Sequence, residues 1–284
     1  MARKHDIMSA PSGVNTTNLS FHIVSHVFHR KPPKDATMSE QTLLGTCARC
    51  GEHIAKDAMT AHHQECERLL EPIGTGKPVR LFQVRIEDAY AGFYWMDAEI
   101  KANSTLDALD DFLRARWLEC CGHLSSFTID GTNYEYPPAV EMGMFADPTG
   151  MYDSPEGRSM NVQLSKVLGP GTTFEHIYDF GTSTELNLSV TGERQGTIGG
   201  RTPIRLLSSN HAPDLRCDEC GEQALEICTA CMYEKEHPFY CADHSEDHDC
   251  VEAEVQVEML LPIVNSPRMG VCAYEGPFEE VPSM

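Results

Sequence analysis

The residues best suited to chemistry are cysteines and histidines that lie close together in the chain. The stretch CADHSEDHDC, residues 241–250, places two cysteines and two histidines within ten residues, and most positions between them are acidic. Burying those carboxylates in an apolar core strand would be strongly unfavourable. The stretch therefore indicates a metal site rather than an ordinary strand.

The carboxy-terminal half supplies matching ligands in four pairs, enough for two four-coordinate zinc ions with no position left for substrate. The pairs are Cys217 with Cys220, Cys228 with Cys231, Cys241 with His244, and His248 with Cys250. In a cross-brace, pairs one and three bind one ion, and pairs two and four bind the other. We favour this over sequential pairing, because residues 241–250 are too tightly spaced to wrap an ion alone.

A third site is predicted near the amino terminus, in CARCGEHIAKDAMTAHHQEC. Cys47 and Cys50 form a knuckle, and a helix would place His62 and Cys66 on one face at i and i+4, where a tetrahedral Zn²⁺ can join the four. His63 is the rival ligand. The pattern resembles single Cys-Cys-His-Cys zinc fingers, so the sequence predicts three structural Zn²⁺ per chain.

Composition limits the compartment and the partners. The 284 residues include twelve cysteines, mostly in CxxC pairs, which fits metal binding in a reducing compartment better than a disulfide framework. No apolar run reaches the roughly 20 residues that span a bilayer, so we expect a cytoplasmic protein without a membrane segment. The net charge of -21 disfavours nucleic acid and favours a protein partner.

The elements that position these ligands predict an α+β fold: a mixed sheet with one main capped helix, plus small zinc-stabilised modules. Alternation predicts a hairpin across residues 169–192, whose first strand places four residues on one face. That face comprises Phe174, His176, Tyr178 and Phe180. The helix within residues 104–122 has a capping pattern at Ser104 and Asp107. Its apolar stripe extends to Cys120, so Cys120 and Cys121 are interpreted as core helix residues.

Composition shifts divide the chain into five parts. Met38 begins a stretch that looks like a natural start, so the first part is either disordered or an over-extended gene model. The parts are a tail at 1–40, a Cys-Cys-His-Cys finger at 41–72, an α+β domain at 73–208, a two-zinc cross-brace-like module at 209–253, and a strand and tail at 254–284. We expect the last part to dock on the α+β domain, with the module inserted before that domain's last strand.

Several stretches resemble the plasmid pRiA4b ORF-3-like family, also described as passenger proteins of insertion elements. They are LFQVRI, the capped helix, FTIDGTNYEY and LSKVLGPGTTFEHIYDFGTSTEL, within about residues 78–195, and LLPIVNSPRMGVCAYEG resembles family versions with zinc fingers. The resemblance implies an α+β fold in microbial and mobile-element settings, and no established reaction. After YDFG the family commonly has an acidic residue, a tryptophan and a histidine, where this chain has Thr182, Thr184 and Leu186.

Outside the metal ligands, the best candidate site is residues 265–276, NSPRMGVCAYEG. Arg268 could hold an anion, and Cys272 could act as a nucleophile if a base stands near it. The alternative is a terminal segment that docks on the core. We favour a non-enzymatic zinc protein that binds another protein. The other hypotheses are a hydrolase-type enzyme using Asp179, Glu185, Arg268 and Cys272, and a nucleic-acid-binding protein associated with mobile elements.

Overall fold

The computed structural model describes residues 44–69, 76–90, 92–136, 157–199, 202–233, 238–248, 250 and 260–277. The predictions for the tail at residues 1–40 lie outside these ranges. No helix within them is both long and apolar enough to cross a membrane.

The main sheet contains ten strands and is mixed, with one parallel pair at an edge. In chain order the strands are β1 (Leu44–Cys47), β2 (His53–Ala55), β3 (Val79–Asp88), β4 (Trp95–Lys101), β5 (Ser125–Ile129), β6 (Thr132–Tyr136), β7 (Arg158–Ser159), β8 (Thr173–Tyr178), β9 (Thr184–Gly196) and β10 (Ile204–Asn210). Across the sheet the order is β2-β1-β10-β4-β3-β9-β8-β5-β6-β7. With the short helices described next, this sheet fits the predicted α+β class.

Two helices accompany the sheet, α1 (Lys56–Leu69) and α2 (Leu106–Leu113), and a π-helical turn over Arg114–Leu118 extends α2. The amino-terminal cap of α2 is Thr105, whose side-chain oxygen accepts a 3.2 Å hydrogen bond from the Ala108 amide. The cap is therefore one residue later than predicted. The helical stretch ends at Leu118, so Cys120 and Cys121 are not helix residues, contrary to the sequence interpretation.

The two faces of β4 are covered by different helices. Met96, Ala98 and Ile100 point into the apolar core that α2 completes. On the other face, Trp95 packs with Met59 of α1 and with the cysteines beside it. The sheet is thus sandwiched, in this region, between α2 and α1.

Charged residues of β4 secure the α1 face. Asp97 accepts hydrogen bonds from the Arg85 guanidinium at 2.5 and 3.0 Å, and Glu99 accepts from Arg194 and Arg205 at 2.6 Å each. These pairs compensate charges that are almost fully buried. Arg194 also lies 3.1 Å from Glu67 of α1. The network therefore joins α1 to the sheet.

The amino-terminal unit extends the main sheet instead of standing beside it as a separate finger. Strand β1 pairs with β10, with Gly45 opposite Asn210. A Cβ at Gly45 would lie 2.6 Å from the Ser209 carbonyl oxygen and even closer to the Trp95 ring. Glycine is thus required at this position for β1 to approach Trp95.

The predicted hairpin is present as β8 and β9, with His176 opposite Leu186 and Tyr178 opposite Thr184. Phe174, His176 and Tyr178 share one face, as predicted, and that face is buried. The prediction for Phe180 is wrong, because the strand ends at Tyr178 and the Phe180 side chain is 52% exposed.

A second, three-stranded sheet lies in the carboxy-terminal module. Its strands are β11 (Glu226–Cys228), β12 (Phe239–Tyr240) and β13 (Leu260–Pro262), in the order β12-β11-β13, and the short helix α3 (Ala242–Glu246) follows β12. Ile227 and Leu261 pack in one apolar cluster, which explains why β13 pairs with β11. The described part of the predicted last strand therefore belongs to the module and not to the main sheet. Its residues 254–259 lie outside the described ranges.

Candidate metal centres

Among the residues that the structure describes, four Cys/His clusters could hold metal ions, since the four ligand atoms of each lie within 4.8 Å of one another. We name them the N-terminal cluster (Cys47, Cys50, His62, Cys66), the first module cluster (Cys217, Cys220, Cys241, His244), the second module cluster (Cys228, Cys231, His248, Cys250) and the surface cluster (Cys120, Cys121, His123, Cys272). All twelve cysteines are free, with no disulfide. Three clusters contain the sequence-predicted ligands, and the surface cluster was missed.

The N-terminal and first module clusters begin with the same turn, formed by CARCGE and CDECGE. Gly51 and Gly221 donate their amides to the carbonyls of Cys47 and Cys217, both at 2.9 Å. Both glycines have φ near the left-handed helical value, +76° and +74°, which glycine adopts without strain. The turn presents both thiols of each CxxC pair on one side.

Helix α1 brings the remaining ligands to the N-terminal cluster. His62 Nε2 lies 3.3 Å from Cys50 Sγ, and the other ring nitrogen lies 3.7 Å from the Glu52 carboxylate. A carboxylate on the outer nitrogen is the usual way to orient a ligating histidine. His63, the rival, points instead towards Asp97 at 3.8 Å and is 8% exposed.

The module clusters group in the cross-brace order. Cys217 Sγ lies 3.6 Å from His244 Nδ1, and Cys220 Sγ lies 3.8 Å from Cys241 Sγ. Helix α3 begins after Cys241, which places His244 one turn later on the same side. Pairs one and three thus share a cluster, with residues 241–250 supplying half of its ligands.

Pairs two and four form the second module cluster, which is the most enclosed. Cys228 Sγ lies 3.6 Å from Cys250 Sγ, and Cys231 Sγ lies 3.3 Å from His248 Nε2. The Tyr240 ring covers His248 with centroids 4.1 Å apart. All four ligands are buried.

These separations fit a tetrahedral ion. Zn–S bonds of about 2.3 Å and Zn–N bonds of about 2.0 Å place two sulfurs about 3.8 Å apart and sulfur about 3.5 Å from nitrogen. The distances between neighbouring ligand atoms of the module clusters span 3.2–3.8 Å. Disulfide sulfurs would be about 2.05 Å apart.

Burial opposes ionisation of thiols in the N-terminal and second module clusters. Burial, with the nearby Cys47 thiol, raises the pKa of Cys66 to about 12. Burial acts to raise the pKa of Cys217, but hydrogen bonds from the Cys241 and Cys220 amides lower it to about 6. Apposed thiols resist joint ionisation because their charges repel. A metal ion removes that penalty.

The surface cluster joins two distant parts of the chain. Cys121 Sγ lies 3.7 Å from Cys120 Sγ, 3.0 Å from His123 Nε2 and 3.6 Å from Cys272 Sγ. The sequence did carry a signal, because three of the twelve cysteines remain after the predicted ligands are assigned. Adjacent cysteines lack the CxxC spacing, and only the fold brings Cys272 to them.

Residues 265–277 dock on the main domain through Arg268, which is fully buried. Its guanidinium donates to Asp179 Oδ2 at 2.8 Å, to Thr184 Oγ1 at 3.0 Å and to the Thr182 carbonyl at 3.2 Å. Arg268 is therefore a structural anchor, and the expectation that it holds an external anion does not fit. Glu185 is half-buried on β9.

Asp179 occupies the turn after β8 with φ of +65°. Its carboxylate accepts hydrogen bonds from the Gly181 and Thr182 amides at 3.0 and 3.3 Å. Burial acts to raise the pKa of Asp179, but Arg268 and Thr182 hold it well below its ordinary value. The group is thus an ionised turn cap.

Comparison with known proteins adds little. No family model matches the chain, and no curated protein matches it. One solved structure that is similar is a crystal structure of a protein of unknown function from Methanosarcina mazei Go1. It is 14% identical with a TM-score of 0.35, over 45% of this chain and 68% of that one. The resemblance to the pRiA4b ORF-3-like family stays a prediction.

Proposed function

We propose that this chain is a non-enzymatic zinc protein whose α+β domain displays zinc-stabilised modules that bind another protein. The proposal rests on one observation: the N-terminal cluster and both module clusters each offer four cysteine or histidine ligands at coordination distances. Four protein ligands fill a tetrahedral zinc and leave no position for a reactive water. We assign one structural Zn²⁺ to each of these clusters.

Contacts around Arg268 and Asp179 argue against the hydrolase alternative. Arg268 is enclosed and its guanidinium is bonded to Asp179, so it has little capacity for a substrate anion. The lowered pKa of Asp179, despite the effect of burial, keeps this carboxylate ionised at its partner. An ionised, paired carboxylate cannot donate a proton as a general acid.

The exposed face of the module suggests the chemistry of its partner. Acidic side chains are exposed in the segments that carry the first module cluster, and Leu225 of the same module is 54% exposed. These acids are Asp214, Asp218, Glu219, Glu222, Asp243, Glu246 and Asp247. We infer a basic protein surface with an apolar contact. Phosphate backbones would be repelled. The reduced thiols support a cytoplasmic setting.

Site-resolved alkylation tests the zinc part of the proposal. In protein purified without chelator, the cysteines of the N-terminal and module clusters should resist an alkylating reagent, and chelator should expose them. Peptide mass spectrometry assigns each thiol, and elemental analysis identifies the metal. Cysteines that react equally with and without chelator would refute the zinc assignment.

Photo-cross-linking tests the interaction part. A photoreactive residue at Leu225 should yield a discrete protein adduct in cells that natively contain the chain, and the adduct should weaken with salt. The control is the same residue at the exposed Glu175 of β8, which should not give that adduct. Identical adducts at both positions would contradict a module interface. Submicromolar DNA binding at about 150 mM salt would support the nucleic-acid alternative instead.

A further inference from the structure

The surface cluster brings together ligands 151 residues apart in sequence, Cys121 and Cys272. Cys121 and Cys272 are exposed, and Cys120 and His123 are half-buried. Apolar packing therefore does not explain why the thiols converge. Their separations of 3.6 and 3.7 Å match two sulfurs on one tetrahedral zinc, which lie about 3.8 Å apart.

The orientation of His123 distinguishes a metal ligand from a catalytic base. Its Nε2 lies 3.0 Å from Cys121 Sγ and 3.6 Å from Cys272 Sγ, and Asp179 Oδ2 lies 3.5 Å from the same nitrogen. A cysteine–histidine–acid triad requires the acid on the opposite ring nitrogen. Here Asp179 lies at the same nitrogen as both sulfurs, which does not fit a triad. The two sulfurs and this nitrogen are arranged as ligands around one cation.

Hydrogen bonds orient the segment that carries Cys272 on the main domain. Ser266 Oγ donates to the Trp117 carbonyl at 2.7 Å, and Asn265 exchanges hydrogen bonds with Asn210 at 2.9 and 3.0 Å. Arg268 reaches from the same segment to Cys120 Sγ at 3.4 Å. The side chain that anchors the segment therefore also contacts a ligand of the surface cluster.

We propose that Cys120, Cys121, His123 and Cys272 bind a fourth ion, Zn²⁺, and that this ion clasps residues 265–277 to the main domain. Three thiolates and one imidazole fill the tetrahedron, so the site is structural. Because two of its ligands are exposed, the surface cluster is the most accessible of the four clusters to chelators. It therefore loses its ion first when zinc becomes scarce, and this loosens the segment.

The metal content of full-length protein tests the site. Wild type purified in reducing buffer without chelator should hold about four zinc ions, and the Cys121→Ser/Cys272→Ser variant about three. Both side chains are exposed, so the variant should fold, and alkylation should show the other clusters still protected. Equal zinc content in both proteins would overturn the proposal. So would a disulfide between surface-cluster cysteines in the freshly purified wild type.

Cobalt substitution gives a readout specific to the ligand set. His123→Cys should keep the fourth ion and increase the thiolate-to-cobalt absorption, whereas His123→Ala should lose or weaken it. No change in either variant would overturn the role of His123. If the other clusters bound no cobalt but the surface cluster did, the three-site proposal would be refuted and the surface-cluster proposal would remain.

Hydrogen exchange tests whether the ion of the surface cluster holds residues 265–277 on the main domain. Amides of residues 265–277 should exchange about tenfold faster or more in the Cys121→Ser/Cys272→Ser variant, with β3 and β4 unchanged. Titration of wild type with chelator should produce the same change before the module cysteines become reactive. Unchanged exchange after loss of the ion would contradict the claim that the ion holds residues 265–277 on the main domain. Module cysteines that become reactive first would contradict the claim that the surface cluster loses its ion first.

Discussion

Arg268 Nη2 lies 2.8 Å from Asp179 Oδ2, and the two side chains are 0% and 6% exposed. This ion pair fixes the carboxy-terminal segment to the turn between β8 and β9. Removing one partner of a buried pair typically costs about 3–5 kcal/mol, because the other charge remains buried without compensation. We predict that Arg268→Met lowers the free energy of unfolding by about that amount in urea denaturation.

The matched control for this prediction is Arg80→Met, which breaks the Arg80–Glu193 pair. Its side chains are 42% and 39% exposed, so water screens the charges and the loss should stay below about 1 kcal/mol. Similar losses in both variants would contradict the role of Arg268 as an anchor.

A second prediction concerns pH. Asp110 Oδ1 lies 2.7 Å from His176 Nε2, and Asp110 Oδ2 lies 2.6 Å from Arg114 Nε. Burial acts to raise the pKa of Asp110, but these two partners lower it. A lowered folded-state pKa stabilises the fold above the unfolded value of about 3.9, and this contribution is lost as pH falls through the folded value. Asp110→Asn should therefore destabilise the protein at pH 7 by much more than at pH 3.

The neighbouring Asp111 provides a control of opposite sign. Burial and the charges of Asp107 and Asp110 raise its pKa. Its ionised form therefore opposes folding at neutral pH, so Asp111→Asn should leave stability unchanged or raise it. Urea unfolding of both variants and wild type at matched pH values checks this. A parallel response of the two variants would refute the argument.

The sequence predictions that the structure confirms rest on local patterns, namely alternation along strands and ligand spacing. The hairpin β8–β9 follows from alternation, because Phe174, His176 and Tyr178 face the core. Ligand spacing within CxxC pairs likewise indicated which residues meet. Phe180 fails because alternation does not report where a strand ends, and Phe180 lies after the last residue of β8.

Long-range contacts could not be predicted from spacing. The pairing of β13 with β11 depends on the apolar contact of Leu261 with the Ile227 cluster. The surface cluster depends on the buried anchor Arg268, which brings Cys272 to Cys121. No local period encodes either contact. The predicted helix ran past Leu118 and included Cys120, so Cys120 was interpreted as a core residue and not as a metal ligand.

A third prediction tests the cross-brace. Cys241 Sγ lies 3.8 Å from Cys220 Sγ and belongs to the first module cluster. Cys241→Ser should therefore expose Cys217 and Cys220 to alkylation while Cys228 stays protected. The mirror variant, His248→Ala, should expose Cys228 and spare Cys217. Exposure of the opposite pairs would establish a different grouping.

The last prediction separates His62 from His63 at the N-terminal cluster. His62 Nε2 faces Cys50 Sγ at 3.3 Å, whereas His63 lies against Asp97 on the buried α1 face. His62→Ala should weaken cobalt binding there, and His62→Cys should retain the ion with stronger thiolate absorption.

His63→Gln should leave the cobalt spectrum unchanged, since the His63 ring contributes no ligand. His63→Gln should instead lower the free energy of unfolding in urea. The His63 ring is buried, and burial lowers its pKa, so the neutral ring is part of the packed interior. Loss of cobalt in His63→Gln with retention in His62→Ala would exchange the two assignments.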